Sequence, residues 1–234
     1  MIPSFKNTLF IATVSAGLFA FASAVQATVI VSDTTVEGNF GDDALFATDA
    51  DNSIFSYAQK TTGSLAQTIT TGAQGIDVSV IELMFESTLD AGGVDMDLTL
   101  HVFEVVDPAA ATLVVPGSTL LTESFTWELV GGDNHLMRIA PSGGTSLILE
   151  ANTSYAFYMD VSADTAADIF EWHRSTGEPG PYDGGIMYQD GTPKSSGTKD
   201  LALALDGTFI PVPEPSTTGL LGLGGLALLL RRRK

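Results

Sequence analysis

The 234-residue sequence contains no cysteine. That excludes a disulfide framework, thiolate metal sites and a Cys nucleophile, so any core must hold by packing alone. Basic residues are also scarce, ten Lys and Arg against 28 Asp and Glu. Half of them, Lys6, Arg231, Arg232, Arg233 and Lys234, lie at the two ends. Between residues 28 and 213, Lys60, Arg138, Arg174, Lys194 and Lys199 stand against twenty-seven carboxylates, a net charge near −22. Such a surface repels nucleic acid and anionic lipid, which argues against a DNA-binding role. It suits solubility, divalent cations or a calcium-bridged anionic matrix.

Several catalytic signatures are missing as well. The serine-hydrolase elbow G-x-S-x-G, the zinc motif H-E-x-x-H and the phosphate loop G-x-x-x-x-G-K are all absent. The three histidines, His101, His135 and His173, are far apart in sequence. With so many carboxylates, some pair will stand at glycosidase spacing in any fold, so no pair is diagnostic. The expectation is a non-enzyme without a cofactor, calcium apart, with a polysaccharide hydrolase as the third reading after a surface component and a polysaccharide-binding module. There is no internal repeat and no convincing long helix.

What is present begins with the two ends. Lys6 is the only charge before the apolar stretch Leu9–Ala22, and Ala22-Ser23-Ala24-Val25-Gln26-Ala27 follows. A charged n-region, an apolar h-region and an A-x-A-like site make a secretory signal peptide over residues 1–27. Cleavage after Ala24 or Ala27 fits, and Ala27 is preferred because strand-like Thr28-Val29-Ile30-Val31 begins there. The other end, residues 211–234, joins three unlike pieces. Pro213-Glu214-Pro215 precedes the uncharged run Gly219–Leu230, and Arg231, Arg232, Arg233 and Lys234 close the chain. Cations beside a membrane span stay cytoplasmic, which would leave the preceding chain outside the membrane. The run makes about 18 Å of helix at ~1.5 Å per residue, against roughly 30 Å of hydrocarbon. It reads as a short transmembrane helix, a temporary stop rather than a lasting anchor.

Those three ordered pieces resemble the PEP-CTERM sorting signal of Gram-negative bacteria, a type of segment also called an "ice-binding protein C-terminal domain". The resemblance covers only the last two dozen residues. It implies recognition by exosortase, a membrane-embedded cysteine transpeptidase, with cutting near Pro213-Glu214-Pro215 and transfer to the cell surface or exopolysaccharide matrix. The cytoplasmic membrane would then be a transient stop. The second label carries no ice-binding function here: Thr61, Thr62, Thr68, Thr70 and Thr71 show no repeated period, which a flat ice-binding face requires.

About 185 residues remain between the ends, enough for one domain with a substantial core over 28–210. They read as short strands rich in β-branched and aromatic residues, separated by Gly, Pro and Asn turns. Met96, Leu98, Leu100 and Val102 alternate with Asp97, Thr99 and His101, and Tyr155, Phe157, Met159 and Val161 with Ala156, Tyr158 and Asp160. Phe125, Trp127 and Leu129 alternate with Ser124, Thr126 and Glu128, placing Trp127 in the core. One dry and one wet face per strand, repeated at this density, predicts an all-β antiparallel β-sandwich. Between Val80 and Ile81 the parity slips, predicting a β-bulge. Leu65–Thr70, Phe125-Thr126-Trp127, Ser154–Phe157, Tyr182–Gly185 and Asp200–Leu203 resemble bacterial choice-of-anchor domains, which implies a jelly-roll-like arrangement in an extracellular setting.

Two groups of candidate site residues follow. Glu171-Trp172-His173-Arg174 and the Gly/Pro loop to Tyr182 bring Trp172, Arg174 and Tyr182 forward as glycan-binding residues. Sugar rings stack on aromatic faces, and loops on a sandwich commonly carry function. Phe170 and Trp172 share parity, which favours core packing for Trp172; Tyr182 is the better candidate for exposure. Asp49-Ala50-Asp51-Asn52-Ser53 begins as an EF-hand does, but Ile54 replaces the required Gly and Lys60 the bidentate Glu. A loop calcium site from Asp42, Asp43, Asp49 and Asp51, or one from Asp90, Asp95 and Asp97, stays open beside a plain solvated loop.

Overall fold

The computed structural model describes residues 44–48, 54–60, 62–87, 94–129, 134–141, 146–163, 170–175, 182–194 and 199–211. Among them are thirteen strands and no helix, arranged as two antiparallel sheets. The first sheet holds β1 (Phe46–Ala47), β2 (Ile54–Lys60), β4 (Ile76–Ser87), β7 (Asn134–Ile139), β8 (Leu147–Leu149), β10 (Phe170–Ser175) and β13 (Leu203–Phe209). Its order is β1-β13-β4-β10-β2, with β7 and β8 also on β4. The second sheet holds β3 (Thr62–Thr70), β5 (Val94–Val105), β6 (Leu121–Leu129), β9 (Ser154–Ala163), β11 (Met187–Gln189) and β12 (Thr192–Pro193), in the order β12-β11-β3-β9-β5-β6.

Period-two alternation decides which side of each strand goes inside. From the second sheet Met96, Leu98, Leu100, Val102, Tyr155, Phe157, Met159, Val161 and Trp127 enter the main core. From the first sheet come Ile81, Leu83, Phe85, Phe170, Trp172, Leu203 and Leu205. The Phe85 ring joins the sheets, 5.4 Å from Trp127 and 4.5 Å from Phe170 between centroids. The antiparallel β-sandwich of the sequence reading is therefore the observed fold.

The β4 bulge exists, but one pair earlier than expected. Asp206 pairs with Val80 and Gly207 with Val78, so Ser79 is the extra residue and turns out to solvent. A Cβ on Gly207 would collide with the Asp77 carbonyl oxygen, so only glycine lets the strands close there. β1 and β12 had no forecast. β1 pairs Phe46 with Leu205, and β11 and β12 form a two-residue hairpin on Asp190-Gly191. Both turn residues have positive φ, 51° and 68°, the type I′ geometry that matches strand twist. The predicted strand at Thr28–Val31 lies outside the described residues.

Candidate binding faces and the sorting signal

The expected glycan platform at Trp172 and Tyr182 is corrected by the packing. Trp172 is 0 % exposed, and its indole N–H donates to the Ala202 carbonyl at 2.8 Å. Its parity with Phe170 puts it in the core, so it has no free face for a sugar. Tyr182 is half-buried rather than exposed. Its hydroxyl donates to the Thr70 carbonyl at 2.8 Å and lies 2.7 Å from the Thr70 N–H, which donates to it. Its ring meets Phe46 edge-on at 5.0 Å, and burial pushes its phenol above the ordinary range. Arg174 is half-buried, at a bridge between β10 and Leu201. Trp172 is packed inside the first sheet, and Tyr182 links Thr70 of the second sheet to Phe46 of the first, so the two aromatic rings do not form a platform.

Beside them is a polar bridge that sequence reasoning missed. Gln67 shares the inward parity of Leu65 and Ile69 and is fully buried. Its Nε2 donates to Asp200 Oδ1 at 2.9 Å, and its Oε1 accepts from the Leu201 N–H at 2.8 Å. Asp200 Oδ2 in turn accepts from the Tyr182 N–H at 3.2 Å. These bonds satisfy polar groups inside the sandwich and link β3 to the approach to β13. The available signal was a polar side chain on an inward register.

The calcium candidates Asp42, Asp43, Asp49, Asp51 and Asp90 lie outside the described residues, and so do the side chains of Asp95 and His135. Asp97 is exposed and accepts a hydrogen bond from Thr126 at 2.7 Å. Among the described residues, no three His, Asp or Glu side chains gather in a way that could hold a metal ion. His173 is buried on the outward side of β10, where burial lowers its pKa to about 4 and keeps the ring neutral near pH 7.

The second sheet offers the open surface instead. Residues 106–120 fold back over one part of its outer face. Leu113 is buried there with Ala66, Phe103, Ala156, Ile186 and Tyr188. The Tyr188 hydroxyl donates to the carbonyls of Ala110 at 2.8 Å and Pro108 at 3.1 Å, and the Leu113 N–H donates to Gly191 at 2.8 Å. A pocket of about 260 Å³ at this strap is lined partly by Phe103, Val106, Leu113 and Val114. That is below the ~300 Å³ at which ligand pockets usually begin.

Past the strap the face is uncovered and polar. Across β9, β5 and β6 the register forms three rows: Tyr158–His101–Thr122, Asp160–Thr99–Ser124 and Ser162–Asp97–Thr126. His101 lies 3.4 Å from Asp160 through Nε2 and 3.1 Å from the Thr122 hydroxyl through Nδ1. Thr99 and Ser124 meet at 3.0 Å. The Tyr158 ring is half-buried beside Phe103 and His101.

Pro213, Glu214, Pro215, the four terminal cations, the apolar run and Ala27 all lie outside the described residues. Among those described, no helix is long and apolar enough to cross a membrane. Residues 211–234 match the family described as the PEP-CTERM protein-sorting motif. The chain carries a PEP-CTERM sorting signal. The PEP-CTERM signal implies an exported protein that exosortase processes at the membrane. It covers the tail alone, so it gives the address and leaves the body's activity open. No curated protein matches the chain. Two solved structures of infectious bursal disease virus, of the Gx strain and of the T13 viral particle, align over 89% of this chain. Identities are 14% and 16% and TM-scores 0.28 and 0.24, too loose to bear on function. The PEP-CTERM chain spans about half the length of those viral chains, 49% and 45%.

Proposed function

We propose that this protein is a non-catalytic component of the outer surface or exopolysaccharide matrix of a Gram-negative bacterium, delivered by exosortase. The observation that carries the reading is the PEP-CTERM match over residues 211–234. The acidic body supports it, since a surface near −22 stays soluble and suits a hydrated, cation-bridged matrix. The test is intact mass of the protein recovered from its own host, beside a Pro213/Glu214/Pro215→Ala variant. The expected wild type lacks the tail and carries any added mass of its acceptor, while the variant keeps Arg231–Lys234 in the membrane. If both keep the cations, the tail is an anchor and the matrix reading fails.

A second reading is polysaccharide binding, with or without calcium, and the observation favouring it is the open polar face on β9, β5 and β6. Hydroxyls and carboxylates in register can exchange hydrogen bonds with sugar hydroxyls, and Tyr158 supplies ring surface beside them. Retention of the chain on immobilised polysaccharide, lost in Tyr158→Ala and unchanged in Trp172→Phe, would support this reading. Equal retention of wild type and Tyr158→Ala would remove it. A calcium-dependent rise in melting temperature would point to a structural ion, because an ion that binds only the folded chain stabilises it by mass action.

A further inference from the structure

The second sheet ends differently on its two sides. On one side its last strand, β12, has only two residues, and the second is Pro193, which has no N–H to offer. On the other side β6 runs nine residues, with β5 on one flank and no strand on the other among the described residues. β6 contains no Pro, Gly, Lys or Arg, the residues that commonly blunt an edge. Its outward Thr122, Ser124 and Thr126 are short and exposed. A straight row of backbone donors and acceptors of that length is a template for another strand.

One residue breaks the pattern. Glu123 stands in the inward row with Leu121, Phe125 and Trp127, opposite Leu100 on β5, and is only 6 % exposed. No hydrogen bond or ion pair among the described residues reaches its carboxylate. Burial pushes its pKa above the ordinary carboxylate range. A leucine would suit the position better, because an unpaired carboxylate gains nothing from apolar neighbours. Inward-pointing charge on an edge strand is one of the devices by which sheets avoid edge-to-edge pairing.

We propose that Glu123 is a guard residue that keeps the free edge of β6 from pairing with β6 of a second copy of this chain. Like strands join antiparallel about a twofold axis, and the pairing that uses all nine residues is centred on Phe125. In that register Glu123 faces Trp127 of the second copy. The union would close the sandwich margin over two carboxylates and remove their remaining water, with no cation among the described residues to meet them. Charge elsewhere on the acidic surface adds less, because salt screens it beyond about 8 Å at physiological ionic strength. A carboxylate on the edge strand itself acts within that range, since paired strands lie about 4.8 Å apart.

The test uses the full chain in neutral detergent at physiological salt, with light scattering for particle mass and hydrogen exchange across 121–129. Wild type and Glu123→Lys should hold one chain per particle. Glu123→Leu should melt about 2–4 °C higher, associate at least tenfold more tightly and gain amide protection along β6. Glu123→Gln should fall between. A Glu123→Leu protein that stays at one chain per particle, or associates without new protection in 121–129, overturns the proposal. So does a wild-type chain whose β6 edge is already protected as a monomer. Should Glu123→Leu fail to fold, Glu123→Gln decides on the same two readouts.

Discussion

The two sheets share one inner core yet treat their outer faces in opposite ways. On the first sheet a central group of outward positions is buried as well, although Ser79 and Ile148 are exposed. Met84, Leu136, Ala202 and Ala204 form a second apolar cluster against Ala44 and Ala47, and Glu171 and His173 are 0 % and 2 % exposed. Glu171 accepts a hydrogen bond from Gln59, and Glu82 meets Arg138 at 3.0 Å. On the second sheet the strap covers a corner and leaves three rows of hydroxyls and carboxylates in water. Polar side chains on the closed face need partners to stay there, whereas those on the open face are free to bind something else. That difference separates the part of the molecule that sets stability from the part available for recognition.

The contrast can be broken by substitution. The largest effect should come from Trp172→Ala, which empties a fully buried position and removes an indole hydrogen bond. About 3–5 kcal/mol of stability should be lost, read from urea unfolding. Tyr158→Ala on the open face should cost far less, and equal losses would mean that the open face is closed in solution.

Acid should act next, through His173. The unfolded chain takes up a proton near pH 6.5, while the folded chain holds this imidazole neutral down to about 4. Its contribution is complete above pH 6.5 and is lost as pH falls towards 4, about 3 kcal/mol in all. His173→Phe should flatten that part of the pH–stability curve. A curve of unchanged slope would show that the ring is wet. The Asp200→Ala change should cost about 1–3 kcal/mol, because it leaves Gln67 and the Tyr182 N–H short of an acceptor. The smallest effect belongs to the open face. Thr99→Ala with Ser124→Ala should shift stability within about 0.5 kcal/mol. If the same pair abolishes retention on polysaccharide, recognition is assigned to that face.

Strand positions and inner faces were legible because alternation over seven or more residues leaves few alternatives. Met96 to Val102 and Tyr155 to Val161 carry that pattern without interruption. β1 and β12 have two residues each, too few to show a period, although Asp190-Gly191 was a readable hairpin signal. Outer-face burial was not legible. Alternation says that His173 points away from the core, but not whether something lies on the far side. For the same reason Trp172 could be read as core or as platform until its neighbours were known. The tail was legible because its signal is linear and needs no fold. Open-face residues such as Tyr158 and His101 come together only through register between strands about sixty residues apart.

The strap has a practical consequence. β5 and β6 are antiparallel neighbours that a two-residue turn could join, yet residues 106–120 connect them. Its middle is stapled down at Leu113, while Val114 is 71% exposed and a side chain at Gly117 would meet nothing within 4 Å. A tag at the C-terminus would obstruct the sorting signal. An epitope or fluorophore inserted at Gly117 should disturb neither the packing nor the address, and would let the mature chain be followed to wherever the tail sends it.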